Sequence, residues 1–212
     1  MWRELQFEVF GTCDRRCPYC EAARNGWLGG LPDHAKFDRV VCEVHGRAPR
    51  VDNCALVGGE PSHWPYALQV RFIATMRSTY RNWTVFTNGY DMGAPILNVP
   101  GWTYALHAFD ESDIPDRMPP NWRAVTVERP MRGATCYVDS GRYRESPAPR
   151  SIEEARKGCR LFRVVRFDVV HDTVYPCCKS AHSVPYAEYV MWQGPVCDDC
   201  VPFGADTADP TG

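Results

Sequence analysis

The chain has no uninterrupted apolar stretch near the ~18 residues that a membrane-spanning helix needs. Met1 leads into WRELQFEVFG with no basic segment ahead of an apolar one. These two absences set aside a membrane span and an export leader, and the expectation is a soluble, cytoplasmic protein without a membrane partner. Charge of one sign is also missing: 24 basic side chains stand against 26 acidic ones, for a formal net charge of −2. That balance argues against broad, salt-driven nucleic-acid binding, which needs a cationic surface. No internal repeat and no low-complexity block interrupts the 212 residues, a length that buries a sizeable core as one large domain or a domain with a small appendage.

Cysteine, in contrast, is abundant. There are eleven, an odd count gathered near two ends of the chain, which fits a disulfide framework poorly. Cys13, Cys17 and Cys20 stand near the start, in GTCDRRCPYC. Cys159, Cys177, Cys178, Cys197 and Cys200 stand near the end. Cys42, Cys54 and Cys136 are scattered and read as small buried hydrophobes.

Hydrophobic periodicity supplies the organisation. ELQFEVFG alternates Leu5, Phe7 and Val9 with polar neighbours, a strand signal that ends at Gly11. NCALVGG (53–59), WTVFTNG (83–89), WTYALHAF (102–109) and RAVTVE (123–128) are further strand candidates. Between them, residues 63–80 place Trp64, Leu68, Phe72 and Met76 four apart on one helical face, and residues 35–46 carry a weaker pattern of the same kind. Strands alternating with helices predict an α/β domain with a mostly parallel sheet, whose sites gather at the carboxyl ends of the strands. A connection rich in proline and charge follows near SPAPRSIEEARKGC. FRVVRFDVVHDTVYPCC then reads as a β-hairpin turning at His171-Asp172, ahead of a short helix candidate in PYAEYVMW and a Cys197-x2-Cys200 pair. The expected boundaries are 1–148 for the main domain and 149–204 for the second, with a small polar tail at 205–212 predicted to be disordered.

Three thiolates on a loop leaving the first strand can ligate three irons of a 4Fe-4S cluster and leave the fourth iron open for chemistry. With Cys13, Cys17, Tyr19 and Cys20 in the pattern C-x3-C-x2-C and an aromatic before the third cysteine, the loop resembles the signature of the radical S-adenosylmethionine enzymes. The resemblance implies an open (β/α)6 partial barrel of the TIM type, shortened here, over residues 3–130. It also implies S-adenosylmethionine chelated by the open iron and cleaved by one electron to methionine and a 5′-deoxyadenosyl radical. Gly58, Gly59 and Glu60 in LVGGEP resemble the family's Gly-Gly-Glu motif, which receives the methionyl ammonium. Thr87 and Asn88 in FTNGY resemble its Thr-Asn-Gly segment, and His107 in YALHAFDES falls where members carry a Ser or His beside the cofactor. Tyr19 is the expected adenine contact. The sixth barrel strand is assigned to TCYVDSG (135–141), and no glycine-rich motif marks the fifth.

Cys159, twelve residues, Asp172, four residues, Cys177 and then Cys197-x2-Cys200 resemble the twitch domain, the shortened SPASM domain that carries an auxiliary cluster, with aspartate where the family has glycine. The resemblance implies a second 4Fe-4S cluster on Cys159, Cys177, Cys197 and Cys200, with Cys178 a neighbour. A four-thiolate zinc site is the alternative that ligand type leaves open. A cluster with all four irons held by cysteine moves electrons, which suits a net oxidation of the substrate. The layout resembles the radical dehydrogenases of aminocyclitol biosynthesis and enzymes that modify ribosomally made peptides. It implies a flavodoxin- or ferredoxin-type electron donor and a small molecule, peptide or nucleobase as substrate. An isomerase acting on a modified nucleotide or peptide, and a non-catalytic iron-sulfur or zinc protein for electron transfer or interaction, are the alternatives. The arginines and the lysine between Arg142 and Arg166 read as a solvated basic face, with an anionic substrate or a reductase as the alternative target.

Overall fold

The strand-forming runs of the sequence build a sheet with two unlike faces. The computed structural model describes residues 4–15, 21–24, 26–108, 114–126, 164–175 and 183–189. The five predicted strands are present as β1 (Glu4–Glu8), β2 (Asn53–Val57), β3 (Trp83–Thr87), β4 (Thr103–Ala108) and β5 (Trp122–Thr126). They pair in parallel and in sequential order, and β6 (Val164–Asp168) runs parallel on the free side of β1. The antiparallel strands β7 (Thr173–Tyr175) and β8 (Val184–Pro185) complete an eight-stranded sheet in the order β5-β4-β3-β2-β1-β6-β7-β8. The architecture is mixed α/β. A six-unit barrel in sequential order would set its sixth strand beside β5. Among the described residues the sixth parallel strand is β6, on the opposite flank, and the predicted strand at 135–141 lies outside them.

Sequential parallel strands joined by right-handed crossovers keep the crossover helices on one face. Helices α2 (His34–Arg47) and α3 (Tyr66–Thr79) lie there and touch each other; the short α1 (Glu21–Arg24) follows the cysteine loop in the chain. Helix α2 begins where Asp33 accepts the amide of Lys36, and it buries Phe37, Val40, Val41 and Val44 at helical spacing. Helix α3 starts at Tyr66, later than the periodicity suggested, because Pro61 and Pro65 hold the preceding residues in a 3-10 turn (Pro61–His63) and an extended link. Trp64 therefore packs from that link, with its ring 4.6 Å from Phe72, instead of from the helix.

The core sits between this face and the helices. Leu5, Phe7 and Val9 of the β1 segment, Leu56, Val85, Tyr104, Leu106 and Phe167 meet Phe37, Phe72 and Met76 in one apolar cluster. Phe7 is its centre, stacked on Phe167 at 5.2 Å and close to Trp83 at 5.8 Å. Buried tryptophan needs an acceptor for its N–H, and Trp83 donates to the carbonyls of Met76 and Tyr80 at the end of α3. Cys54 lies in this core as expected. Cys42 does not: it falls one position past the buried stripe of α2 and is exposed, and Cys136 lies outside the described residues.

The predicted hairpin is formed by β6 and β7, with Asp168 opposite Thr173. Asp172 adopts φ 53°, a left-handed conformation that aspartate tolerates better than most residues. Its carboxylate pairs with Lys36 at 2.7 Å and Arg39 at 3.3 Å, which ties the turn to α2. Tyr186, in the short helix α4 (Tyr186–Tyr189), adds a hydrogen bond to Glu43. This hairpin continues the same sheet as β1. The expected boundary at 148/149 and the tail at 205–212 lie outside the described residues. Among the described residues no helix is long and apolar enough to cross a membrane.

Candidate active site

Parallel strands deliver their loops to one end of a sheet, so the exits of β1, β2 and β3 are neighbours by construction. The β1 exit runs through Gly11 and Thr12 to Cys13. Thr12 is fixed on both sides: its amide and hydroxyl bond the carbonyl of Gly30, and its carbonyl accepts the amide of Glu60. The β2 exit presses directly on this segment. A Cβ on Gly58 would stand 2.9 Å from the Val9 carbonyl oxygen, and one on Gly59 would stand 3.0 Å from the Gly11 nitrogen. Both glycines also have positive φ, 96° and 64°, so glycine is required here by close approach and conformation together.

Glu60 follows, 0% exposed. Its Oε1 accepts the Ser62 amide at 3.1 Å, the Ser62 hydroxyl at 2.6 Å and the Thr87 hydroxyl at 2.8 Å, while Oε2 accepts the Asn88 amide. A buried carboxylate is tolerable only with such a set of donors. Glu60 thus brackets the β2 exit to the β3 exit. Thr87 also accepts the Gly89 amide at 2.9 Å, and the Asn88 side chain reaches back to the cysteine loop. Its Nδ2 lies 2.7 Å from Asp14 Oδ1 and 3.9 Å from Cys13 Sγ. Asp14 also faces His63 Nε2 at 3.1 Å, and the His63 ring stacks on Tyr90 at 3.8 Å. Burial alone would raise the Asp14 carboxyl, but hydrogen bonds from Asn88 and His63 outweigh it and hold it below the usual carboxylate value.

Below these exits, the face of the sheet away from the helices carries polar side chains that are nonetheless buried. Gln6, Glu8, Thr84, Arg166 and Asp168 belong to it, beside a small apolar patch of Ala55, Val57, Phe86 and Ala105. Glu8 and Arg166, on adjacent parallel strands, pair at 3.5 Å, and the guanidinium lies 3.8 Å over the Tyr175 ring. Arg166 is therefore not part of a solvated basic face: it is 5% exposed and committed to the sheet. His107, on β4, shows an edge to Phe86 at 5.2 Å and has a buried Nε2. Burial, with Arg123 adding to it, pushes its imidazole down to about 3, so it is neutral at physiological pH. At the β6 exit, Asp168 Oδ2 bonds His171 Nδ1 at 2.8 Å, and His171 packs beside Trp27 and Phe10.

Six of the residues singled out in the sequence thus come together: Cys13, Gly58, Gly59, Glu60, Thr87 and Asn88. His107 stands on the neighbouring strand. Tyr19, Cys17, Cys20, Cys159, Cys177, Cys178, Cys197 and Cys200 lie outside the described residues, and among the described residues no three or more His, Cys, Asp or Glu side chains form a metal cage. Sequence reading missed Asp14, Ser62 and His63: Ser62 bonds Glu60 only two residues away, whereas Asp14 meets His63 and Asn88 across loops distant in sequence. It also missed the Glu8–Arg166 pair, although polar residues alternating inside two strand runs were a visible signal.

No protein-family model and no curated protein sequence matches the chain. Among solved structures, Streptococcus suis SuiB is similar over 51% of the chain, at 18% identity and a TM-score of 0.37. A second structure, of SuiB bound to S-adenosylmethionine, gives 17% identity and a TM-score of 0.33 over the same share. The matched part spans only 25% and 24% of SuiB.

Proposed function

We propose that the chain is a radical S-adenosylmethionine enzyme that removes a hydrogen atom from a small molecule, peptide or nucleobase and oxidises it with the help of an auxiliary 4Fe-4S cluster. The observation that carries this reading is the convergence of three segments. The first cysteine of the C-x3-C-x2-C loop, the Gly58-Gly59-Glu60 turn and the Thr87-Asn88 pair are one hydrogen-bonded assembly at the exits of β1, β2 and β3. The donor chemistry fits the implied cluster: a thiol at a strand exit, with an amide N–H directed at its sulfur, is suited to act as a thiolate ligand. When bound, the clusters and S-adenosylmethionine supply low-potential electrons and a 5′-deoxyadenosyl radical able to take a hydrogen atom from an unactivated carbon.

In this reading Cys13, Cys17 and Cys20 hold the first cluster. Gly58 and Gly59 present main-chain groups to the methionyl ammonium. Glu60 acts through position, locking the β2 and β3 exits so that those groups are preorganised. Tyr19 contacts the adenine, and His107, kept neutral by burial, offers a hydrogen-bonding imidazole beside the cofactor without adding charge. Cys159, Cys177, Cys197 and Cys200 hold the auxiliary cluster, and a flavodoxin- or ferredoxin-type protein delivers the electrons.

Iron analysis of the anaerobically reconstituted protein tests the assignment. About eight irons per chain are expected, falling to about four when Cys13, Cys17 and Cys20 are all replaced by alanine. That variant should produce no 5′-deoxyadenosine. One zinc with four irons would overturn the auxiliary-cluster assignment, and retained cleavage in the triple variant would overturn the enzyme assignment.

A further inference from the structure

We infer that Asn88 is a positioning residue that tunes the cluster of the cysteine loop: its side-chain amide donates a hydrogen bond to the sulfur of Cys13 and raises the reduction potential of the iron centre that Cys13 would ligate. This rests on the radical-enzyme reading above.

Three features of the geometry carry it. The first is the amide's orientation. Asn88 Oδ1 accepts the Tyr90 amide at 2.9 Å, and Nδ2 faces the Asp14 carboxylate at 2.7 Å. A flipped amide would set oxygen against the carboxylate and nitrogen against an N–H, so only this orientation satisfies both neighbours. The second is donor count. A primary amide has two N–H groups, and with one on Asp14 the other is directed toward Cys13 Sγ at 3.9 Å. The third is rigidity: the Asn88 backbone amide is bonded to the fully buried Glu60, and Thr87 and Gly89 on either side are tied into the same network. The protein's own hydrogen bonds thus hold the amide in place.

A hydrogen bond to a cysteine sulfur draws electron density from the thiolate and weakens its donation to iron. The more negative, reduced form of the cluster gains most from that, so the potential rises. Asp14 anchors the donor and cannot replace it, since a carboxylate only accepts.

The test compares wild type with Asn88→Ala as reconstituted full-length proteins. Each is titrated by EPR, following the reduced signal that changes when S-adenosylmethionine is added. The expected result is unchanged iron content and a cluster whose one-electron reduction is about tenfold less favourable, a fall of about 59 mV. An unchanged midpoint at full iron content overturns the inference. If Asn88→Ala loses iron, pulsed EPR on protein carrying 15N-asparagine decides, with Asn25→Gln removing the asparagine nearest the cysteine loop in sequence. A 15N coupling to the reduced cluster supports the hydrogen bond, and its absence overturns it. A protein that shows no signal responsive to S-adenosylmethionine overturns the enzyme reading together with this inference, whereas a responsive signal with an unmoved potential removes the inference alone.

Discussion

The two faces of the sheet are built from alternate residues of the same strands, yet they do opposite things. On the helix-covered face, Leu5, Phe7, Leu56, Val85 and Phe167 are apolar and packed against α2 and α3. One residue along, on β1, β3 and β6, Gln6, Glu8, Thr84, Arg166 and Asp168 are almost as buried and polar, beside the small apolar patch of Ala55, Val57, Phe86 and Ala105. Apolar burial stabilises at about 25 cal/mol per Å². Polar burial only breaks even when each group finds a partner. A fold that needed stability alone would have filled both faces with hydrocarbon. The second face holds charge and hydrogen-bonding capacity away from water, where electrostatic interactions are strongest, and leads up to the strand exits that carry Cys13, Glu60 and Asn88.

Four substitutions or conditions sharpen this contrast. The largest loss is expected on the apolar face: Phe7→Ala removes the ring at the centre of the core and should lower unfolding free energy by about 4 kcal/mol in urea titrations. On the polar face, Arg166→Met removes the cation that pairs with the buried Glu8 and should cost about 3 kcal/mol. The double change Arg166→Met with Glu8→Leu should recover most of that loss, because an apolar pair needs no solvation. If the double variant were as unstable as the single one, the pair would not be the reason for the loss.

Acid is the third probe. The His107 imidazole is held near 3 in the folded chain by burial and by Arg123, against about 6.5 when unfolded. A depressed folded-state value means that the unfolded chain binds the proton first. Its neutral-form stability is therefore complete above pH 6.5 and declines as pH falls toward 3, by about 2 kcal/mol at pH 5. His107→Phe should flatten that part of the pH–stability curve; an unchanged slope would assign it to other groups. The smallest effect belongs to the hairpin. Asp172→Asn keeps a side chain that tolerates the left-handed turn but removes the half-exposed ion pairs with Lys36 and Arg39. The cost should stay below about 1 kcal/mol and shrink in high salt.

How far these features were legible beforehand follows from their range in sequence. Five parallel strands, the two long helices and the β6–β7 hairpin announce themselves through period-2 and period-3.6 patterns, which are local. Asp172 in the turn was readable from residue chemistry, and its φ of 53° accords with that. The side of the sheet on which β6 docks was not readable, because pairing with β1 is settled by packing between segments about 160 residues apart. Trp64 looked helical by spacing, and only the prolines at 61 and 65 remove it from the helix. In the site, Gly58, Gly59 and Glu60 were recognised as a motif. That Glu60 is fully enclosed by Ser62, Thr87 and Asn88 depends on a neighbouring loop, which no run of sequence displays.

The central claim is that the polar strand-exit end of this sheet is a reaction centre for S-adenosylmethionine. It is tested most directly by reconstituting the protein anaerobically with iron and sulfide, adding dithionite and S-adenosylmethionine, and assaying for 5′-deoxyadenosine. Its time-dependent formation by wild type is the result this account predicts; an iron-loaded, reduced protein that leaves S-adenosylmethionine intact would contradict it.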